Sequence, residues 1–335
     1  MKSDATGAAL KVAMVGATSV LGRELRRVLW DRRFPLQEIT MMGDGEDTGK
    51  ITEYGGEAHL VGELDPEKLA RADILFICEQ GQAARHAMTA AAAGDAFIID
   101  LADAHADADD PVISMDINAH ALPTHGAAHI RAPHQAAQIL STVLGALGKG
   151  TTILEVRGTA ITPVSDGGEP AVEELYRQAA GILSFGEKPE RIFSRQVAFN
   201  AVPHALMNVQ QGWPDLDARL RGELSRILDL EADAVSMRAL VGSVFHGISL
   251  LVSVRFERPP APAVRRRRLS RAPFSFGPQT PADLGTSQSI HVSDLGDEGG
   301  GRVGLWIVAD NLRGGCVANG VAIALALAAH VGEGS

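Results

Sequence analysis

Residues Leu10–Trp30 read LKVAMVGATSVLGRELRRVLW, and this stretch decides the fold class. Leu10–Ala17 is a short, near-continuous apolar run, the pattern of a strand buried on both faces. VLGRELRRVLW reads as the helix that follows. Between them lies GATSVLG, Gly16–Gly22. A glycine-rich turn that leaves a strand and opens a helix is the context a dinucleotide fingerprint requires. Unpaired N–H groups and the helix dipole favour a pyrophosphate there. The candidate cofactor contacts are therefore Gly16, Thr18, Ser19, Val20, Leu21 and Gly22. Ser19 stands where a middle glycine usually lets the backbone approach the phosphates. A plain strand–helix turn is the competing reading.

Downstream, EITMM, ADILFIC, the helix-like QAARHAMTAAAAG, and the strand-like AFIIDLA and PVISMDI continue the alternation. Alternating strands and helices predict a parallel sheet covered on both faces. From about Thr151 the pattern changes. TILEVRGTAI, RQVAFNAV, SMRALVGSV and GISLLVSVRFE read as longer strands with period-2 alternation. In the last, Ile248, Leu250, Val252, Val254 and Phe256 share one face. PAVEELYRQAAGIL carries Pro170 near its first turn, a favoured place. PDLDARLRGELSRIL sets Leu216, Leu220, Leu224 and Ile227 at helical spacing. This half reads as α+β on a broad, mainly antiparallel sheet. Arg258–Gly285 is rich in proline and arginine, and its run Arg265–Arg268 is expected to be a solvated loop rather than an anion or partner patch. VGLWIVADN is a further strand, and GGCVANGVAIALALAAHV closes the chain as a helix.

The 335 residues suffice for two domains with full cores. A formal net charge of −10 argues against nucleic acid or an anionic membrane as partner. No apolar run is long enough to span a bilayer, and the N-terminus has no apolar signal core. Cys78 and Cys316 are the only cysteines. Without an export signal, the expectation is a cytoplasmic protein with free thiols. His105, His120, His125, His129 and His134 cluster in sequence, but without a convergent carboxylate or thiolate they are not expected to hold a metal. His246, just before a core strand, has the chemistry of a general base. HIRAPHQAAQIL, His129–Leu140, is a strand-to-helix junction, a common place for a nucleophile. It offers only Gln135, which is not one.

Together these pieces resemble the aspartate-semialdehyde dehydrogenase family nearly end to end. KVAMVGATSVLGRELRRVL is similar to its opening G-A-T-G-x-V-G loop, AFIIDLADA to I-D-N-S-S-A, VAFNAVPH to I-A-F-N-x-I-P-H, and LWIVADNLRGGCVANGVAIA to W-x-V-x-D-N-L-R-K-G-A-A-x-N. The resemblance implies a Rossmann-type domain over 1–132 and 312–335, and a dimerisation and substrate domain over 133–311. It implies a symmetric homodimer built on the second sheet, and it adds Asn311 to the cofactor contacts. Enzymes of this family form a thioester from an aldehyde: a cysteine attacks the carbonyl, a histidine handles the proton, NADP takes the hydride and phosphate releases the acyl group.

The departures fall on that chemistry. APHQAAQIL lies where the family has N-P-N-C-S-T, so Gln135 takes the nucleophile's place, and an amide cannot form the hemithioacetal. The family's phosphate-binding arginine has no counterpart. No Lys or Arg occurs from His86 to Ile130, a window with seven aspartates. The family's substrate-contacting glutamine is missing from RGTAITPVSDGG. GEDTGK corresponds to the loop that holds the NADP 2′-phosphate, with Glu46 replacing its arginine, so NAD is favoured over NADP. His246 matches the family's proton-handling histidine. Arg238 approximates its substrate-carboxylate arginine, and Glu223 and Arg226 its E-T-x-K-I-L. The first reading is a catalytically inactive or repurposed relative that binds a dinucleotide or another small ligand. The alternatives are an active dehydrogenase using Cys316 or Cys78, and a reductase that transfers hydride directly.

Overall fold

The computed structural model describes residues 9–43, 45–104, 110–123, 128–186, 192–207, 215–285, 287–311 and 315–331. The chain forms two compact units, 1–133 with 316–335, and 134–315.

In the first unit, β1 (Leu10–Val15) leads through the glycine turn to α1 (Val20–Asp31) and β2 (Leu36–Gly43). A hairpin of β3 (Ile51–Tyr54) and β4 (Glu57–Leu60) follows, then β5 (Gly62–Glu63), α2 (Pro66–Ala70), β6 (Ile74–Ile77), α3 (Gln82–Ala91), β7 (Phe97–Asp100) and β8 (His129–Arg131). The sheet order is β5-β2-β1-β6-β7-β8, parallel throughout. Each central strand feeds two cores. Leu10, Val12 and Met14 pack with α1 and the closing helix Cys316–Val331, whereas Ala13 and Val15 pack with α3. That two-sided burial is why the strand reads as continuous apolar sequence.

PVISMDI is not a strand. Val112 makes a single bridge to Arg131, and the chain then turns. Asn118 Oδ1 accepts from Ser114 N at 2.8 Å, and Asn319 accepts from Met115 N at 2.9 Å while donating to Ile113 O at 2.7 Å. Beyond that bridge, whose ladder bonds are Ile113 N to Arg131 O and Arg131 N to Pro111 O, side-chain amides satisfy the buried backbone.

In the second unit, α4 (Gln135–Leu147) leads to β9 (Ile153–Thr162), α5 (Gly168–Leu183), β10 (Ala201–Pro203), α6 (Leu216–Leu228), β11 (Val235–Gly242) and β12 (Ile248–Phe256). Then come α7 (Pro262–Leu269), β13 (Phe274–Phe276), β14 (Ile290–Gly299) and β15 (Arg302–Ala309). The sheet order is β10-β11-β9-β12-β15-β14-β13, with β11/β9 and β14/β13 parallel and the other pairs antiparallel. Ile248, Leu250, Val252, Val254 and Phe256 are all buried. On the opposite face of β12, Leu251 is 49% exposed.

Two expectations are corrected here. RQVAFNAV is strand only from Ala201. Val197 and Ala198 instead donate to Gln178 Oε1 on α5, at 2.8 and 3.1 Å, and Phe199 has φ +58°. The arginine run is a helix, not a solvated loop. Arg265 is 1% exposed and forks onto Asp294, with a third bond to Asp297 at 2.7 Å. Arg268 donates to Leu147 O and Lys149 O at the end of α4, and Arg266 lies over the Phe276 ring.

Candidate functional site

The glycine turn of the first unit is built for close packing. Gly16 has φ +80°, and a Cβ on Gly22 would lie 2.2 Å from Gly16 O. Only glycine fits at either position. Ser19 is the N-cap of α1: its Oγ accepts from Gly22 N at 3.0 Å and donates to Cys78 O at 2.8 Å. Arg26 reaches back from α1 to Ala17 O at 3.3 Å. The backbone shape therefore fits a pyrophosphate at the helix N-terminus, with Thr18, Val20 and Leu21 lining the same turn.

The acid that meets this turn is one the sequence reading passed over. Glu46's side chain lies outside the described residues. Its neighbour Asp47 is hydrogen-bonded to Lys50 at 2.7 Å. That bond, with a further one from Thr18, holds the Asp47 carboxyl below its usual range. A carboxylate just past β2 and beside the glycine turn was legible from chain position alone.

The aspartate-rich window is less bare than its composition suggests. Asp100 accepts from Ala102 N and Ala104 N, at 2.9 and 2.8 Å. Asp110 meets His129 Nδ1 at 2.5 Å, and Asp103 meets Arg131 at 2.5 Å. His129 is raised, burial working against it and Asp100 and Asp110 outweighing burial. Asp107, Asp109, His105 and His125 lie outside the described residues. Among those described, no group of three or more His, Cys, Asp or Glu is placed to hold a metal.

In the second unit, Gln135 opens α4 and is 9% exposed. His134 is the N-cap: its Nδ1 accepts from Ala136 N at 3.1 Å, and its backbone N donates to Glu223 Oε2 at 2.8 Å. Glu223 in turn holds Arg219 at 2.7 Å, one helical turn back on α6. Asp166 lies beside them, its Oδ2 3.9 Å from His134 Nε2 and its Oδ1 accepting from Asn311 Nδ2 at 3.0 Å. Asn311 also donates to Ser165 Oγ and accepts from Gly247 N, at 3.2 and 3.0 Å. A Cβ on Gly315 would lie 2.7 Å from Gln135 Cβ, so glycine there leaves room for the glutamine.

Burial governs the protonation of this cluster. It pushes Asp166 up to about 7, against the Asn311 and Gln135 amides and the Arg219 charge. His134 falls well below its usual value through burial, Arg219 and His204. At neutral pH His134 is thus neutral, with Nδ1 occupied as an acceptor, which leaves Asp166 as the proton-exchanging group.

The other expected site residues divide between this cluster, its edge and the surface. Asn311 belongs to this cluster, where its amide is fully used. His246 is exposed, on the loop whose Phe245 O accepts from Ser165 N at 3.2 Å. Arg226 is exposed, and Arg238 pairs with Asp217 with 74% of its side chain exposed. The cluster's cation is Arg219, which sequence reasoning missed. Asp166, in the RGTAITPVSDGG stretch, was missed too. Both cysteines are buried in the first unit's core. Burial and Cys316 hold the Cys78 thiol far above its usual value, the opposite of an activated nucleophile.

The comparisons with known proteins follow this geometry. Residues 11–125 match the semialdehyde dehydrogenase NAD binding domain, and 144–314 match the semialdehyde dehydrogenase dimerisation domain. The chain belongs to the aspartate-semialdehyde dehydrogenase family. It is 28% identical over 331 residues to a USG-1 protein homolog of Pseudomonas aeruginosa, covering 96% of this chain and 98% of that one. It is 27% identical over 327 residues to an aspartate-semialdehyde dehydrogenase of Rickettsia bellii, covering 93% and 96%. The structure of a probable aspartate-semialdehyde dehydrogenase from Pseudomonas aeruginosa superposes with a TM-score of 0.86 at 26% identity, covering 96% of this chain and 99% of that one. Within this family the chain carries an NAD-binding domain of Rossmann type and a mixed-sheet dimerisation domain. No helix among its described residues is long and apolar enough to cross a membrane.

Proposed function

We propose that this chain is a dinucleotide-binding member of its family that has lost the acyl-transfer chemistry. One observation carries the reading. Gln135 stands at the N-terminus of α4 among Asp166, Asn311, His134 and Glu223, a buried polar group held by the His134–Glu223 and Asn311–Asp166 hydrogen bonds. A thiolate nucleophile needs a lowered pKa and an exposed path; Cys78 has neither, and Cys316 is buried without the path. In this reading Glu223 and His246 stay with the site, and Arg219 takes the place of Arg238 and Arg226 as its cation toward a small-molecule ligand. A bound nicotinamide dinucleotide supplies a hydride acceptor or donor. Gly16, Ser19 and Gly22 hold its pyrophosphate, and Asp47 accepts from a ribose hydroxyl. An acid at that place favours NAD over NADP, and the affinity ratio of the two by calorimetry checks it. The reading also places the protein in the cytoplasm, with both thiols reduced.

The expected result in an assay of phosphate-dependent oxidation of aspartate semialdehyde, followed by reduced-nicotinamide absorbance, is no turnover by the wild type. Gln135→Cys alone does not restore it. Each missing charge-stabilising group costs about 3 kcal/mol, roughly a hundredfold in rate, and losses in one cooperating site are not independent. Robust wild-type turnover abolished by Cys316→Ser would promote the relocated nucleophile instead.

The second unit is further proposed to form a symmetric homodimer through the sheet face that carries Leu251 and Arg255. Glu155 is buried there beneath Arg157, Arg255 and Arg302. The three arginines outweigh its burial and hold its carboxyl down to about 2. A two-fold contact is the commonest oligomer geometry. Sedimentation at micromolar concentration is expected to give a dimer, and Leu251→Glu a monomer. A wild-type monomer contradicts the assignment.

A further inference from the structure

Arg26 is a charged side chain enclosed by the first unit. It sits on the buried face of α1 and is 8% exposed. Its guanidinium is spent on backbone alone. Nη2 donates to Ala17 O at 3.3 Å, and Nη1 donates to Glu53 O on β3. Among the described residues it makes no ion pair, and its Nε has no partner. Burial, then the Arg23 charge, lowers its pKa, but a guanidinium stays charged in proteins. A buried cation without an ion-pair partner is costly, and an apolar side chain of similar length would fill the place at less cost.

One of the two carbonyls it holds belongs to the glycine turn. In a trans peptide the C=O and the following N–H point in opposite directions. Ala17 is buried and Thr18 half-buried, so drawing Ala17 O inward to Arg26 turns the Thr18 N–H outward. Other amides of the turn are already committed: Gly16 N donates to Met42 O, Ser19 N to Gly16 O and Gly22 N to Ser19 Oγ. Among the described residues, the N–H groups of Thr18, Val20 and Leu21 have no acceptor in the chain. We propose that Arg26 is a positioning residue for the pyrophosphate: its grip on Ala17 O aims the Thr18 N–H at the phosphate that the start of α1 attracts. The inference rests on the proposed dinucleotide reading. The second bond, to Glu53 O, braces the turn against the β3–β4 hairpin. A hydrogen bond to a charged group is worth about tenfold to a hundredfold in affinity, and it is lost when the amide is free to turn away.

The test is calorimetric titration of NAD, ADP and adenosine into the full-length wild type, Arg26→Met, Arg26→Lys and Trp30→Ala. Arg26→Met keeps the stem and removes the donors. Arg26→Lys keeps the charge and gives up the fork. Trp30→Ala loosens the hairpin alone, since the Trp30 ring packs against Tyr54 and Gly55. The expected loss for NAD and ADP is about tenfold or more in Arg26→Met and about threefold or more in Arg26→Lys. Adenosine, which carries no phosphate, should bind all forms equally, and Trp30→Ala should bind NAD and ADP as the wild type does. Arg26→Lys carries the test if Arg26→Met fails to fold. Smaller losses in the folded Arg26 variants would overturn the inference and leave the dinucleotide reading standing. An equal loss for adenosine, or the same loss in Trp30→Ala, would also overturn it, because general loosening rather than the grip on Ala17 O would then be the cause. Failure of every form to bind NAD or ADP at millimolar concentration would overturn both.

Discussion

Arg265→Met is expected to lower the unfolding free energy by about 3–5 kcal/mol, the usual cost of removing one partner from a buried ion pair. Arg265 is held by Asp294 through two bonds, at 2.7 and 3.2 Å, and by Asp297 and Pro260 O, at 2.7 and 2.9 Å. Its two aspartates outweigh burial and raise the guanidinium pKa further, so no change of protonation relieves the site. With the arginine gone, Asp297 can turn to solvent, but the Asp294 side chain is only 12% exposed and stays desolvated without a counter-charge. The loss therefore falls on α7, β14 and their junction. Arg265→Lys should cost less, since it keeps the charge and gives up the fork. The double change Arg265→Met with Asp294→Leu should recover most of the loss, because apolar replacement of both members of a buried pair is often near neutral. Urea unfolding of the three variants measures this. A cost below about 1 kcal/mol for Arg265→Met would show that the fork is an ordinary surface contact.

Asp166→Asn is expected to stabilise the protein, and only at higher pH. Burial raises the folded Asp166 carboxyl from its ordinary 3.8 to about 7. The native state then holds that proton more tightly than the unfolded chain does. The stability this proton contributes is complete below pH 3.8 and is lost as pH rises through about 7. About three pKa units correspond to roughly 4 kcal/mol. Asparagine never ionises, so the gap between variant and wild type should be near zero at about pH 4 and approach that figure above about pH 8. Chemical denaturation across this range gives the curve. A gap that stays flat with pH would mean that Asp166 ionises with an ordinary pKa, and the cluster around Gln135 would lose its proton-exchanging member. His134 adds no compensating slope above neutral pH, because burial already keeps it uncharged there.

Local pattern carried the reading wherever one face or one turn settled the matter. The run Leu10–Val15 and the turn Gly16–Gly22 announced a parallel sheet and an anion-ready helix start, because two-sided burial and positive φ restrict residue type in place. The alternation Ile248–Phe256 announced a half-buried antiparallel strand for the same kind of reason. The place of Gln135 at the start of α4 was legible as a strand-to-helix junction, and only the family resemblance set it against a nucleophile. The misread elements share a different cause. PVISMDI and RQVAFN have strand-like composition, but Asn319 and Gln178 take their backbone hydrogen bonds, and no local pattern records a partner about twenty or two hundred residues away. The arginine run was read as solvated because charge composition cannot show that Asp294 and Asp297 lie opposite Arg265. The same limit applies at the candidate site. Arg219, Asp166 and Arg26 are unremarkable in the chain and acquire their meaning from what folding places beside them. An acid's burial, a cation's partner and a guanidinium's reach to a glycine turn are sums over neighbours in space, so the tertiary structure alone decided them.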